Sequence, residues 1–161
     1  GEGSLITWQD FAAEVWHTPG HTAGHLCYLF DGHRHVFTGD TLFAAGCGRV
    51  FDGTPAQLFA SLQRINRLPE NTLLYPAHEY TAANLAFAAH IEPDNADTAR
   101  ARKEAAHTPT LPVTLAHERR INPFLRTGEA AVRRRTAELC GRELHDETAV
   151  FTALRELKNG F

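Results

Sequence analysis

Thr18-Pro19-Gly20-His21-Thr22-Ala23-Gly24-His25 decides the reading, and two shorter stretches answer it: Thr38-Gly39-Asp40-Thr41 and Tyr75-Pro76-Ala77-His78-Glu79-Tyr80. Pro19 and Gly20 turn the backbone sharply, so His21 sits on a loop that can throw its imidazole inward. Asp40 follows the strand-like Val36-Phe37-Thr38, and a carboxylate there has both oxygens free to bridge two cations. His78 follows a buried apolar run, Thr72 to Tyr75, and a short turn. Taken singly, a loop histidine is usually structural, and a Gly-Asp turn usually bonds its own backbone. Three ligand types, each just past a strand end, form a converging arrangement that reads as half of a two-metal site. His17, His21 and His25 also repeat every four residues, but Pro19 and Gly20 argue against a helix. His17 and His25 are therefore supporting or structural candidates.

Outward from these stretches, Leu5-Ile6, Phe11 to Trp16 and Leu26 to Phe30 read as strands, and Asp31 to His35 as a hairpin turn. Thr54-Pro55-Ala56-Gln57 is a helix start: Thr54 caps, Pro55 suits the first helical position, and Gln57 completes a capping box. Leu58, Phe59, Leu62, Ile65 and Leu68 follow at helical spacing, and Leu68 to Asn71 ends the helix. From Thr81 the character changes. Ala82 to His90 reads as a helix, as does Asn95 or Ala96 to about Ala106. Thr108 to Pro112 must be irregular because two prolines stand so close, and Asn122 to Arg126 is a non-helical tie. Helices follow at about 128–139 and 147–158, the second capped by Asp146. Residues 1–80 thus read as strands with a helix, and residues 81–161 as a helical appendage.

The chain of 161 residues is 43% hydrophobic and 22% charged, ordinary for a globular protein. No apolar run is long enough to span a membrane, and no secretory leader is visible. Cys27, Cys47 and Cys140 are an odd, scattered set, which suggests a reducing, cytoplasmic setting. The net charge of −3 argues against nucleic acid as a partner. Residues 1–88 hold 4 Lys/Arg against 8 Asp/Glu, whereas residues 89–161 hold 12 against 11. Metal cations on one side and guanidinium groups on the other would suit a small anionic substrate between them.

The order TPGHT–GH, GDTLF, AGCGR and AHEYT, with Asn122-Pro123-Phe124-Leu125-Arg126 in a helical tail, resembles the metallo-β-lactamase superfamily and, more narrowly, glyoxalase II, the hydroxyacylglutathione hydrolases. The resemblance implies an α/β fold: 1–80 as the second half of an αββα metallo-β-lactamase domain, and 81–161 as an all-α domain that binds the glutathione part of the substrate. It implies an enzyme in the intact protein, hydrolysing S-2-hydroxyacyl (lactoyl) glutathione thioesters with hydroxide shared by two metals, Zn²⁺ first and Fe or Mn as alternatives. On the same basis His21 would be a terminal ligand of the first metal, Asp40 the bridging carboxylate and His78 a ligand of the second. Arg49 and Tyr80 would contact glutathione. Arg155 and Lys158, three apart and so on one helical face, would grip its glycine carboxylate.

Two departures stand out. Phe51 replaces a tyrosine that eukaryotic members use to bind glutathione. The family's His-x-His-x-Asp-His motif occurs nowhere; His33-Arg34-His35 has only its first spacing. The expectation is therefore that the chain begins inside the fold, lacks the N-terminal half or needs a chain supplying it, and is inactive alone. The alternatives are a split or degenerate chain that only binds glutathione, and another enzyme of this fold, such as a persulfide dioxygenase.

Overall fold

The computed structural model describes residues 1–106 and 109–161. Its main sheet is built from β1 (Leu5–Trp8), β2 (Phe11–His17), β3 (Leu26–Phe30), β4 (His35–Gly39), β7 (Leu73–Pro76) and β8 (Val113–Thr114), in that spatial order. All neighbours are antiparallel except β4 and β7. That parallel pair needs a crossover, which α1 (Pro55–Asn66) supplies. A separate two-stranded ribbon, β5 (Leu42–Phe43) with β6 (Gly46–Cys47), lies in the crossover just ahead of α1. Because β2 and β4 both run opposite to β3, the ends of β2, β4 and β7 emerge at one edge of the sheet. Residues 18–25, Asp40 and His78 therefore come together by topology alone, in the place where open sheets with parallel strands bind ligands.

The capping box at Thr54 forms as the sequence predicts, with Thr54 accepting from the Gln57 backbone and Gln57 answering the Thr54 N–H. Leu58, Leu62 and Ile65 of α1 are fully buried with the sheet residues Leu29, Val36 and Leu74. The C-terminal half adds α2 (Thr81–Ile91), α3 (Ala96–Glu104), α4 (Leu115–Ile121), a 3-10 turn Pro123–Leu125, α5 (Ala130–Cys140) and α6 (Glu147–Gly160). Asn95 and Asp146 cap α3 and α6. The core is continuous with that of the sheet half: Phe59 of α1 meets Phe151 of α6 at 5.2 Å between rings.

Several elements differ from the sequence reading. The stretch Asn122 to Arg126, read as non-helical, closes into the 3-10 turn with Asn122 as its cap. The appendage read as wholly helical returns one strand, β8, to the edge of the sheet, where Leu74 pairs with Val113. Helix α4 and the ribbon strands β5 and β6 are additions that the sequence pattern does not announce. Of the predicted irregular stretch, Thr108 lies outside the described residues, while Pro109 to Pro112 carries no helix or strand. The sheet face away from α1 is bare and apolar. Phe37 stacks on Tyr75 at 4.8 Å and meets Phe30 at 5.4 Å, and Trp8 and Phe11 of the neighbouring strands stand 69% and 61% exposed.

Candidate functional site

His21, Asp40 and His78 meet at the sheet edge as one carboxylate between two imidazoles. His21 Nε2 lies 3.8 Å from Asp40 Oδ2, and His78 Nε2 lies 3.2 Å from the other oxygen, Oδ1. The parallel ladder sets the second distance: Gly39 of β4 is in register with Pro76 of β7, and the Ala77 N–H donates to the Gly39 carbonyl at 3.0 Å. The first is set by α1, whose Ser61 hydroxyl donates to the Pro19 carbonyl at 2.8 Å and ties down the 18–25 loop. The loop also packs on α1 at Gly20, where φ is +139° and a side chain would overlap the Leu58 backbone.

Hydrogen bonds set how the His21 and His25 rings present themselves. His21 Nδ1 faces the Arg49 carbonyl at 2.8 Å and must donate to it, which leaves Nε2 as the ring nitrogen turned toward Asp40. His25, a supporting candidate from the sequence, accepts the Asp40 backbone N–H on Nε2 at 3.0 Å. Its proton is therefore on Nδ1, where the Thr41 and Thr18 hydroxyls lie at 2.9 and 3.1 Å. Burial, and then the neighbouring His21, lower the His25 pKa, which keeps this arrangement neutral. His17 is exposed and touches the Ala23 carbonyl instead. Gly48 closes the back of the site: a methyl there would overlap the Asp40 carbonyl oxygen and press on His21 Nδ1 at 3.0 Å.

The donor set fits part of a binuclear centre. Nitrogen and oxygen atoms 3.2 and 3.8 Å apart are spaced as ligands sharing a cation at about 2.0–2.2 Å from each. Among the described residues, no group of three or more His, Cys, Asp or Glu side chains is close enough to hold an ion by itself. The set is one wall of such a site and not the whole of it.

A cavity of about 610 Å³ opens from these ligands, and all seven residues singled out in the sequence line it. Tyr80 stacks on His78, ring centres 4.9 Å apart and planes within 14°, and Phe51 tilts against His21 at 4.9 Å. The far wall is cationic. Lys158 has its pKa pushed down by burial and then by Arg155 and Arg49, so three like charges converge, with no ion-pair partner among the described residues. Asp40 carries the one side-chain carboxylate among the described lining residues. Arg155 is placed differently from a free clamp: it is 5% exposed and donates from Nη1 to the Cys47 carbonyl at 2.8 Å, while its Nε has no partner among the described residues. A second groove of about 650 Å³ beside α5 is also rich in arginine, but there Arg126 is paired with Glu92, and Asp97 takes Arg100 and Arg120. The buried thiols Cys27 and Cys47 are both pushed up to about 11 by burial, which makes them inert at neutral pH.

Sequence reasoning misses Glu118, Asn84 and Asn122 as the residues that hold the turn between β5 and β6. The signal is available only in part: Asn122 belongs to a recognisable motif, but nothing local announces a buried glutamate on a short helix.

Comparison with known proteins agrees with this geometry. Residues 1–78 match the model of the metallo-beta-lactamase superfamily, and residues 79–161 match that of the hydroxyacylglutathione hydrolase C-terminus. The chain is 64% identical over 161 residues to a hydroxyacylglutathione hydrolase of Neisseria meningitidis, covering 99% of this chain and 64% of that protein's length. Among solved structures, ETHE1 from Myxococcus xanthus aligns with TM-score 0.55 and 25% identity, over 98% of this chain and 58% of that one. TTHA1623, solved in a di-iron-bound form, aligns with TM-score 0.50 and 31% identity, over 78% of this chain and 46% of that one. The chain thus belongs to the hydroxyacylglutathione hydrolase family of the metallo-beta-lactamase superfamily.

Proposed function

We propose that the protein containing this chain hydrolyses S-2-hydroxyacyl glutathione thioesters, lactoylglutathione foremost, to the hydroxy acid and glutathione. The observation that carries this reading is the shape of one cavity. It is lined both by a carboxylate between two imidazoles and by three cationic side chains that have no ion-pair partner among the described residues. That is the polarity of a substrate with an electrophilic carbonyl and a doubly carboxylated tail.

His21, Asp40 and His78 would hold part of a metal pair, Zn²⁺ or alternatively Fe or Mn. Membership of the superfamily implies metal ions, and the related TTHA1623 was solved with two irons. Such a pair supplies hydroxide at neutral pH and stabilises charge on the carbonyl oxygen. The remaining ligands would come from residues outside this chain, which spans 64% of the length of its meningococcal relative. The same outside segment, or a partner supplying it, would cover the apolar sheet face around Phe37 and Tyr75.

The chain's own residues perform the rest. The Arg49 carbonyl keeps His21 in the tautomer that leaves Nε2 free. His25 holds the Asp40 backbone, and so the root of its side chain, at a fixed height. Arg49, Arg155 and Lys158 would draw the glutathione carboxylates, and Tyr80, stacked on His78, would pack against the substrate on that side, so the thioester is left over Asp40. The leaving thiolate needs little help, because its conjugate acid has a pKa of about 8.5. No general acid is required in the cavity. In this reading 1–80 is the metal-binding part and 81–161 the substrate-binding part. The setting is the cytoplasm, where three unpaired thiols suit a reducing compartment. No helix among the described residues is long and apolar enough to cross a membrane.

The test is thiol release from lactoylglutathione by full-length, metal-loaded protein, against a lactoyl thioester of a thiol without carboxylates. Hydrolysis of the first with a much higher KM for the second is expected. Glutathione binding without turnover would instead favour the non-catalytic reading, and turnover indifferent to the carboxylates would remove the role of the cationic wall.

A further inference from the structure

The turn Phe43–Gly48 links Asp40, just before β5, to Arg49, just after Gly48. Its two-residue ladder pairs Leu42 with Cys47 and Phe43 with Gly46, and its backbone is held further by side chains from beyond position 81. Asn122 Nδ2 donates to the Gly46 carbonyl at 3.0 Å and reaches that of Phe43 at 3.3 Å. Asn84 Nδ2 donates to the Ala44 carbonyl at 3.0 Å. Arg155 takes the Cys47 carbonyl at 2.8 Å. At the apex the Ala45 N–H donates to Glu118 Oε2 at 2.8 Å, and Asn122 donates to the same oxygen at 2.9 Å. Ala45 has φ +56°, a left-handed conformation that suits glycine and strains alanine.

Glu118 is the unusual member. It is wholly buried, its second oxygen Oε1 has no partner among the described residues, and it lines neither the His21–Asp40–His78 cluster nor the cavity beside it. A buried carboxylate is costly, and here one of its oxygens carries the whole load, accepting from both Ala45 and Asn122. We propose that Glu118 is a positioning residue for the reaction proposed above, on which this inference rests: it clamps Ala45 in its left-handed conformation, so that Asp40 and Arg49 keep the separation one substrate needs.

The experiment uses full-length protein. Glu118→Ala, Glu118→Asp and Glu118→Gln are compared by backbone hydrogen exchange, melting temperature, kcat and KM. The amide of E118Q keeps one oxygen to accept from Ala45 and Asn122, so this variant is expected to stay within about twofold of wild type in kcat. E118D withdraws the acceptor by one methylene and should lose protection from Ala45 through Arg49, with kcat down about tenfold and KM raised. It also keeps the test decisive if E118A does not fold. Adding Ala45→Gly to E118D should recover part of the lost rate, because glycine adopts this conformation without strain. The inference is overturned if E118D or a folded E118A lowers the melting temperature while kcat, KM and exchange at 45–49 stay as in wild type. It is also overturned if A45G gives no recovery. If full-length wild type hydrolyses no glutathione thioester, the functional reading fails and exchange alone decides: lost protection in E118D supports the clamp, and unchanged protection ends it.

Discussion

His25 accepts the backbone N–H of Asp40 on Nε2 at 3.0 Å, and so fixes a carboxylate by its main chain and not by its oxygens. Both oxygens stay open for other partners. Replacing His25 with alanine leaves that N–H without an acceptor and frees the Gly39–Asp40 corner. The expected outcome in full-length protein is metal affinity reduced roughly 10–100-fold, in line with other residues that support ligands without touching the ion. Competition with a chelator measures it; unchanged affinity would show that the corner is held without His25.

Gly48→Ala should damage the same site from behind. Its methyl would collide with the Asp40 carbonyl and the His21 ring. A destabilisation of about 1–3 kcal/mol is expected, together with loss of turnover. Denaturant unfolding and a thiol-release assay check both halves of this statement.

Arg155 and Lys158 should separate, although they share a helix face. Lys158→Ala removes a charge at the cavity wall and should raise KM about tenfold, or about 1.4 kcal/mol, at nearly constant kcat. Arg155→Ala also strips the Cys47 and Gly48 carbonyls of their donor, so kcat and melting temperature should fall as well. Identical profiles for the two variants would contradict the buried placement of Arg155.

Glu118 sets a pH dependence of stability. Burial raises its pKa from 4.5 to about 7. Between those values the folded protein keeps a proton that the unfolded chain has released. The contribution to stability is therefore full below 4.5 and is lost as the pH rises through about 7. A glutamine in its place has no proton to lose, so the melting temperature of E118Q should gain on wild type as the pH rises from about 5 to about 8. Parallel curves would place the ionisation elsewhere.

The 161-residue chain by itself should retain fewer than two metal equivalents, because its described residues gather no complete ligand group. Elemental analysis after gel filtration reads this directly. Two tightly held ions per chain would mean that ligands from a second copy complete the site.

The convergence of His21, Asp40 and His78 is legible in the sequence because each sits beside a local signal: a proline-glycine turn before His21, a strand end before Asp40, a buried run before His78. The helices with caps at Thr54, Asn95 and Asp146 are legible for the same reason, since capping is local chemistry. What escapes is set by distant partners. Strand β8 is two residues long and exists only because Leu73 and Leu74 offer it an edge. Helix α4 spans seven residues, too short for periodicity to show. Ala45 looks like any alanine, and its left-handed backbone comes from Glu118, 73 positions away. Arg155 announces only its charge, whereas its burial follows from packing against Phe124 at 5.2 Å and from the carbonyls it caps.

The short strand β8 also bears on how this protein could be recombined. It pairs with β7, the strand that launches His78, so the helical half contributes a rung to the ladder that carries a ligand. A chimera cut at the change of character near residue 80 would set one parent's β8 against the other parent's β7. An exchange of the helical half between relatives therefore has to match that two-residue ladder too, and a graft that ignores it would be felt first at His78.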